Sequence, residues 1–168
     1  MILDNVLSES NLDILRRQAQ GTFKSLYPFY CAQPHYQSSN ILSNVMSRAL
    51  GRPLKEIVSF LRKNTSSLDT KFRVHADGEP LRDGRLCKVA GIFYLEEDDS
   101  GTALYRSPIH GDHAVDRFIF EDDDGTWEAY FKCPSKANRL FIYDANLFHG
   151  RYPWRVNTDR VVLTKFMI

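Results

Sequence analysis

Apolar residues in the first third of the chain recur at intervals of three and four, a spacing that predicts amphipathic helices. The pattern favours helices beginning near Ser10, near Asn40 and at Pro53, with Gly21 as the stop of the first. Residues 22–38 are aromatic and rich in turn formers, which indicates a packed loop. The apolar stripes consist of Leu12, Leu15 and Ala19, of Leu42, Val45, Met46 and Ala49, and of Leu54, Ile57, Val58 and Leu61.

From about residue 70 the pattern changes to short segments that alternate or are continuously apolar, which is typical of β-strands. The run Asp122–Gly125 separates two of these segments, and its Asp-Gly pair predicts a hairpin turn between them. The predicted strands lie at residues 71–75, 89–95, 102–105, 117–121, 127–131, 139–143 and 160–168.

These elements predict a mainly β fold with N-terminal helices, in the α+β class. Many short strands after a helical segment indicate an antiparallel sandwich or barrel with helices packed on one face. A chain of 168 residues fits a single domain. We expect residues 1–66 to form a helical support region and residues 67–168 to form the catalytic β core.

Composition and charge limit the binding partners and the cellular compartment that we expect for this protein. The formal net charge of +1 gives no bulk electrostatic signal for nucleic acid or membrane. Three widely spaced cysteines show no disulfide framework or zinc pair, which favours reduced thiols. The N-terminus lacks the basic start and apolar run of a signal peptide, and no stretch is long enough for a transmembrane span. We therefore expect a soluble, cytoplasmic protein.

A candidate metal site is formed by His75, Asp77 and the distant His149. Two imidazoles and one carboxylate on one face of a metal are the ligand set of non-haem iron(II) oxygenases, and they leave positions open for other ligands. His75 and Asp77 are two residues apart, so on an extended strand both point to the same side. Zinc is the rival metal, because the same ligands suit a hydrolytic zinc site. The competing histidines are His35, His110 and His113.

A candidate anion site follows the second histidine. Arg160 opens the last predicted strand, and a guanidinium can hold a carboxylate through two charge-assisted hydrogen bonds. On an alternating strand Arg160, Thr164 and Phe166 share one face, which offers a cation, a hydroxyl and an aromatic wall to a short dicarboxylate. Arg155 is nearer to His149 and remains an alternative anchor.

Taken in order, these motifs resemble those of the iron(II)- and 2-oxoglutarate-dependent oxygenases, and within them the prolyl-4-hydroxylase-like branch. The resemblance covers roughly residues 70–168. Ser100 stands where the family usually has the first glycine of a Gly-Gly turn. The segments that carry the resemblance are Arg73–Asp77, Gly91–Leu95, Ser100–Leu104, Ala137–His149 and Asp159–Phe166.

The resemblance implies a double-stranded β-helix, a jelly-roll or cupin-like barrel, and roles for individual residues. His75, Asp77 and His149 would bind iron(II). Arg160 and Tyr94 would bind the far carboxylate of 2-oxoglutarate. Thr164 and Phe166 would line the same cosubstrate pocket.

The activity implied by the resemblance is a dioxygenase reaction that converts 2-oxoglutarate and O2 to succinate and CO2, with ascorbate as a candidate reductant. The expected substrate is a peptide or protein side chain, which is hydroxylated, or a small metabolite. Two alternatives stay open: a nucleic-acid-directed oxygenase or demethylase of the same superfamily, and a non-catalytic β-helix that binds a metal or ligand. A hydrolytic zinc enzyme ranks third, since no further carboxylate base stands beside the ligands.

Overall fold

The computed structural model describes residues 1–27, 30–34, 39–65, 67, 71–78, 84–121, 125–154 and 158–168. Strands predominate in these ranges, and helices occur only in the first third of the described chain. In chain order the elements are β1 (Ile2–Asp4), α1 (Glu9–Ala19), β2 (Lys24–Tyr27), β3 (Tyr30–Pro34), α2 (Ser39–Ala49), β4 (Glu56–Asn64), β5 (Val74–His75), β6 (Val89–Tyr94), β7 (Gly101–Arg106), β8 (Ile119–Phe120), β9 (Glu128–Pro134), β10 (Arg139–Asp144), β11 (His149–Tyr152) and β12 (Arg160–Met167).

The strands form two antiparallel sheets. One has seven strands in the order β1-β10-β6-β12-β4-β3-β2, and the other has five in the order β8-β5-β11-β7-β9. The last three strands of the chain alternate between the sheets, because β10 and β12 lie in the first and β11 in the second. The predicted mainly β, antiparallel fold is confirmed. Within the described residues the ladders make two separate sheets and not one closed barrel.

The first two of the three predicted helices are confirmed, at α1 and α2. The first begins at Glu9, close to the predicted Ser10, since the hydroxyl of Ser8 accepts the backbone N–H of Asn11 and caps the helix. Leu12 and Leu15 of α1 and Leu42 of α2 pack on the seven-stranded sheet. In the described part of the chain, no helix is long and apolar enough to cross a membrane.

The seven-stranded sheet has two differently used faces, and β6 shows the division. Phe93 packs toward the helices, while Ala90, Ile92 and Tyr94 pack with residues of the five-stranded sheet. This follows from the alternation of side chains along a strand. Gly91 lies under α2, where a Cβ would come within 3.0 Å of the thioether of Met46. The face away from the helices is therefore the one that can build a site between the sheets.

The predicted third helix, from Pro53 through Leu61, is wrong: residues 56–64 form β4. β4 pairs with β12 over eight registered residue pairs, with Leu61 opposite Leu163. The spacing of its apolar residues suits a helix, but Ile57 and Val58 are β-branched, and pairing with two neighbouring strands overrides the local pattern. Strands before and after residue 66 thus belong to the same seven-stranded sheet. The expected division of the chain at that residue, into a support region and a catalytic core, stays a prediction.

Two further predictions are corrected by the sheet order. The predicted loop at residues 22–38 contains β2 and β3, which extend the seven-stranded sheet. The predicted hairpin is wrong, because β8 and β9 lie at opposite edges of the five-stranded sheet. β8 pairs with β5 and β9 pairs with β7, so long-range partners replace the neighbour that Asp-Gly suggested. Residues 122–124 of that turn lie outside the described residues.

Candidate metal centre

The residues His75, Asp77 and His149, hereafter the His-Asp-His cluster, come together at one end of the five-stranded sheet. His75 ends β5 and His149 begins β11, and the two are opposite each other in the antiparallel ladder. The chain then turns after β5, where the backbone N–H of Asp77 donates to the carbonyl of Ala145 at 2.7 Å. One ligand atom from each of the three side chains lies within 4.8 Å of the others. The structure therefore brings the three predicted ligands together.

Hydrogen bonds around the cluster fix the direction of its ligand atoms. His149 Nδ1 lies 3.0 Å from the carbonyl oxygen of Leu147, so a proton on Nδ1 leaves Nε2 free as a ligand atom. That Nε2 is 3.2 Å from Asp77 Oδ2. The hydroxyl of Tyr143 donates to the same carboxylate oxygen at 3.2 Å. Such outer contacts orient ligands in metal sites and tune their basicity.

The two glycines beside the ligands allow backbone segments to approach closely. A Cβ at Gly78 would overlap the side chain of Asn146, and a Cβ at Gly150 would overlap the carbonyl of Arg73. These glycines thus make room for neighbouring protein segments, which hold β5 and β11 in place.

The protonation states of the cluster suit a cation. Burial raises the pKa of Asp77, but the charge of His149, its hydrogen bond and the charge of His75 outweigh burial and lower it to about 2. Burial, and then His149, lowers the pKa of His75 well below its usual value. At neutral pH the cluster thus offers a carboxylate and an uncharged imidazole. Metal ligands must be deprotonated in this way, so the donor set fits a divalent metal ion.

A small cavity of about 30 Å³ lies beside the cluster, and Arg160, Thr164 and Phe166 line it. Their contact with 2-oxoglutarate stays a prediction. Arg160 is buried, its Nη1 donates to the carbonyl of Gly101 at 2.6 Å, and burial lowers its pKa to about 10. Arg160 Nε and the Thr164 hydroxyl are buried and have no hydrogen-bond partner among the described residues. Buried polar groups are nearly always hydrogen-bonded, so this pair marks a position for a polar ligand.

Tyr94 lies behind the lining of the cavity. Its hydroxyl is buried and donates to Thr102 Oγ1 at 2.8 Å, and Thr102, rather than Tyr94, lines the cavity. Burial raises the pKa of Tyr94, which therefore stays a neutral donor. Its contact with a carboxylate stays a prediction.

Several residues at the site were missed from the sequence. Tyr143 had been read only as part of a strand, although its place at the end of 139–143 puts it near the turn that carries the second histidine. Arg62 was hidden by the wrong helix assignment, and no local signal marks Thr102. The missed residues that line the cavity are Arg62, Thr102 and Tyr143. Arg151, which like Arg155 follows His149 in the sequence, also lines the cavity, and it donates to the carbonyl of Thr158 at 2.9 Å.

The competing candidates lie elsewhere. His110 packs 4.5 Å from the ring of Phe120, and His113 Nδ1 is 2.6 Å from Asp112 Oδ1. Neither belongs to the His-Asp-His cluster found among the described residues. His35 and the alternative anchor Arg155 lie outside the described residues.

Comparisons with known proteins match the fold but not the sequence. No protein-family model matches the chain, and neither does any curated protein. HygX from Streptomyces hygroscopicus, solved with nickel, 2-oxoglutarate and hygromycin B, has a TM-score of 0.64 at 13% identity, over 99% of this chain and 81% of HygX. SnoK, a non-haem α-ketoglutarate-dependent carbocyclase from nogalamycin biosynthesis, has a TM-score of 0.66 at 14% identity, over 99% of this chain and 78% of SnoK.

A third neighbour is the epimerase SnoN, solved with Fe3+, α-ketoglutarate and nogalamycin RO. Its TM-score is 0.63 at 11% identity, over 100% of this chain and 78% of SnoN. None of the three is described as a prolyl hydroxylase, so that branch stays a prediction. The likeness is one of fold: this chain has the fold of these three proteins, and its membership of their superfamily stays a prediction.

Proposed function

We propose that this protein is an iron(II)- and 2-oxoglutarate-dependent dioxygenase that oxidises a small molecule. One observation carries the proposal: the His-Asp-His cluster and the buried Arg160, whose Nε has no partner among the described residues, face one cavity. For a hydroxylation the balance is substrate R–H plus 2-oxoglutarate plus O2 giving R–OH, succinate and CO2. The oxidation of R–H is matched by the oxidative decarboxylation of the cosubstrate, so no further reductant enters each turnover.

The metal end of the site consists of the His-Asp-His cluster. Three protein ligands on one face leave positions for the cosubstrate and for O2, which distinguishes this set from a closed structural site. Iron, when bound, supplies the redox chemistry with O2, and the protein supplies placement and shielding. Tyr143 and the carbonyl of Leu147 hold the ligand side chains in orientation. Ascorbate is proposed only as an external reductant that keeps iron in its ferrous state.

The carboxylate end of the site is the inner face of β12. Arg160 offers its free Nε donor and Thr164 its hydroxyl, and Phe166 forms the apolar wall. Tyr94 supports this end through Thr102. The cavity has to widen to admit a five-carbon diacid, and Phe166, which is only partly buried, is a side chain that can move.

We also propose that the two sheets form a double-stranded β-helix. The alternation of β10, β11 and β12 between the sheets supports this, since a double-stranded β-helix winds successive strands through two layers. The site then lies between the layers, at the end where β5 stops and β11 starts.

A small molecule is the substrate class that the neighbours favour. HygX was solved with hygromycin B and SnoN with nogalamycin RO, and neither is a peptide or a nucleic acid. The hydroxylation of a peptide side chain, expected from the prolyl-hydroxylase-like resemblance, has no such support. The net charge of +1 gives no reason to prefer a nucleic acid.

The test is iron-dependent formation of succinate from 2-oxoglutarate, measured in air and under anaerobic conditions. We expect slow succinate formation without substrate, lost without O2 and lost in His149→Ala. The matched control is His113→Ala, an exposed histidine outside the cluster, which retains the activity. Binding of iron(II) and 2-oxoglutarate without any succinate would favour the non-catalytic binding protein. Zinc-dependent hydrolysis with no iron-dependent turnover would favour the zinc enzyme.

A further inference from the structure

A second, larger cavity of about 520 Å³ lies beside the candidate metal centre. This volume lies in the range of pockets that hold small organic ligands. β7, β9 and β10 contribute apolar and aromatic side chains to it, and the segment after β10 closes one end. We call it the aromatic groove, and its apolar lining includes Leu104, Tyr130, Phe131, Phe141, Tyr143 and Leu147.

The aromatic groove and the cavity beside the metal ligands share one lining residue, Tyr143. Phe131 stacks on Phe141 with ring centroids 5.5 Å apart, and Phe141 lies 5.0 Å from Tyr143. The ring of Tyr143 is in turn 4.6 Å from that of His149, and its hydroxyl binds Asp77. The cavity beside the cluster itself measures only about 30 Å³, which is room for about two water molecules. An organic substrate therefore has to place most of its body outside that cavity.

Two aromatic rings of the aromatic groove are exposed to solvent. Tyr130 is 38% exposed and Phe131 is 36% exposed, and they are neighbours on β9 at the edge of the five-stranded sheet. Adjacent exposed aromatic side chains that continue into a cavity are typical of a ligand-binding surface. Stacking of a flat ring on them adds to the energy from burial of apolar area.

The rim of the aromatic groove carries positive charge. Arg52 and Lys88 line it, are exposed, and have no side-chain partner among the described residues. Asp144, also at the rim, already accepts the backbone N–H of Asn146. Two free cations beside an apolar cavity complement a ligand that combines an apolar body with an anionic group.

We propose that the aromatic groove binds the primary substrate, and that this substrate is a small molecule with a flat apolar ring system and an anionic group. The rings stack on Phe131, whose side chain is partly exposed, the anion lies between Arg52 and Lys88, and the far edge of the ring system reaches the His-Asp-His cluster past Tyr143. The proposal rests on the proposed function, because the groove is a substrate site only if the cluster is a reaction centre.

The first experiment compares two fluorescent probes that differ in charge. 1-Anilinonaphthalene-8-sulfonate has flat rings and an anion, and N-phenyl-1-naphthylamine has the same rings and no charge. Both are titrated into the protein with and without Mn(II) and saturating 2-oxoglutarate, which occupies the Arg160 site. We expect the double variant Arg52→Ala/Lys88→Ala to bind the anionic probe roughly tenfold more weakly and the neutral probe within about twofold. Phe131→Leu should weaken both probes about threefold.

A matched control removes two exposed cations far from the aromatic groove. The double variant Arg17→Ala/Lys24→Ala should bind both probes like the unchanged protein. Thermal melting of every variant checks that it is folded, and the exposed positions of Arg52 and Lys88 make loss of folding unexpected there. Equal effects of the two double variants on the anionic probe would overturn the proposal.

A second experiment tests whether the aromatic groove adjoins the metal. Paramagnetic Mn(II) at the cluster should broaden the proton NMR lines of the bound anionic probe, and diamagnetic Zn(II) should not. Probe binding without broadening in the Mn(II)-loaded protein would overturn the role of the groove as a substrate site. Failure of the protein to take up Mn(II) at all would instead overturn the proposed function, while the probe titrations on the metal-free protein still decide whether the groove binds the ligand class.

Discussion

The two sheets contribute different chemistry to the candidate site. The five-stranded sheet provides both histidines, from the end of β5 and the start of β11. The seven-stranded sheet provides the buried cation and hydroxyl, from the inner face of β12. In the proposed function, each sheet thus holds one end of a two-point clamp for a 2-oxo diacid. The distance between the ends is set by the packing of one sheet on the other and not by any local motif.

One side chain joins the two halves of the clamp. Tyr143 belongs to β10 of the seven-stranded sheet, and its hydroxyl binds the Asp77 carboxylate in the turn after β5. If the sheets act as separate halves, variants in one half should change the binding of one ligand and spare the other. Tyr143 is the expected exception, since a change at this residue of the seven-stranded sheet should alter metal binding.

Loss of a metal ligand should have the largest effect. Asp77→Ala removes the only carboxylate of the cluster, and we expect metal affinity to fall by more than about 100-fold, beyond the range typical for outer contacts of a metal site. The measurement is Mn(II) binding by electron paramagnetic resonance or iron(II) binding by anaerobic equilibrium dialysis. Asp112→Ala, an exposed carboxylate paired with His113, is the control and should bind metal normally. Normal metal binding by Asp77→Ala would remove this residue from the ligand set.

Loss of the buried Arg160 guanidinium should have the next largest effect. It should weaken the binding of 2-oxoglutarate and not the binding of the metal. Arg160→Ala should weaken 2-oxoglutarate binding by about 1.5–3 kcal/mol, the usual worth of a hydrogen bond to a charged group, and leave metal affinity unchanged. Calorimetric titration of 2-oxoglutarate into the Mn(II)-loaded protein measures this. Arg48→Ala, an exposed arginine in the last turn of α2, is the control. An unchanged 2-oxoglutarate affinity would transfer the anchor role to Arg155.

The same comparison explains which elements could be predicted from the sequence. β6, β10 and β12 have long apolar or alternating runs that stay buried in the middle of the seven-stranded sheet, and they were predicted. The residues of β4 predict a helix, because Leu54, Ile57, Val58 and Leu61 recur at helical spacing, and only the pairing with β12 overrides this local pattern. The false hairpin has a similar cause, since Phe120 pairs with Val74, which lies far back in the chain.

The site was predictable where motifs are local and not where it depends on sheet packing. His75, Asp77, His149 and Arg160 were found from residue type, order and position at the ends of strands. Tyr143 was missed because its role arises only when β10 faces the turn after β5. The roles of Thr102 and Arg62 likewise depend on strands from different sheets meeting at one cavity.

Tyr143→Phe should have an intermediate effect on metal affinity. Here a change in the seven-stranded sheet should alter the binding of the metal, whose histidine ligands belong to the five-stranded sheet. The change removes one hydrogen bond to Asp77 and leaves the ring in place, so we expect about tenfold weaker metal binding, by analogy with other outer contacts. Binding of the anionic naphthalene probe in the aromatic groove should be nearly unchanged, because the ring is kept. Tyr105→Phe, which removes a buried hydroxyl that contacts the carbonyl of Arg151, is the control. Equal metal affinity in both variants would show that the Tyr143 hydroxyl does not support the metal end.

Thr164→Val should have the smallest effect on 2-oxoglutarate binding. Its comparison with Ser59→Ala tests whether only the sheet face toward the cavity contacts this ligand. The Thr164 hydroxyl is buried without a partner on the face toward the cavity. Ser59 also has a buried hydroxyl without a described partner, but it lies two residues from Leu61, which packs toward the helices. A neutral hydrogen bond contributes about 0.5–1.5 kcal/mol, so Thr164→Val should weaken 2-oxoglutarate binding by about two- to tenfold. Ser59→Ala should leave it unchanged.

The thermal stability of the two variants gives a second test, because a buried hydroxyl without a hydrogen-bond partner lowers the stability of the protein unless a ligand provides that partner. In the absence of 2-oxoglutarate, both variants should therefore melt at the same or a higher temperature than the unchanged protein. With saturating 2-oxoglutarate, only Thr164→Val should lose part of the stabilisation that ligand binding adds. If Thr164→Val gains as much from 2-oxoglutarate as Ser59→Ala does, the Thr164 hydroxyl is not a ligand contact, and the carboxylate end of the clamp consists of Arg160 without it.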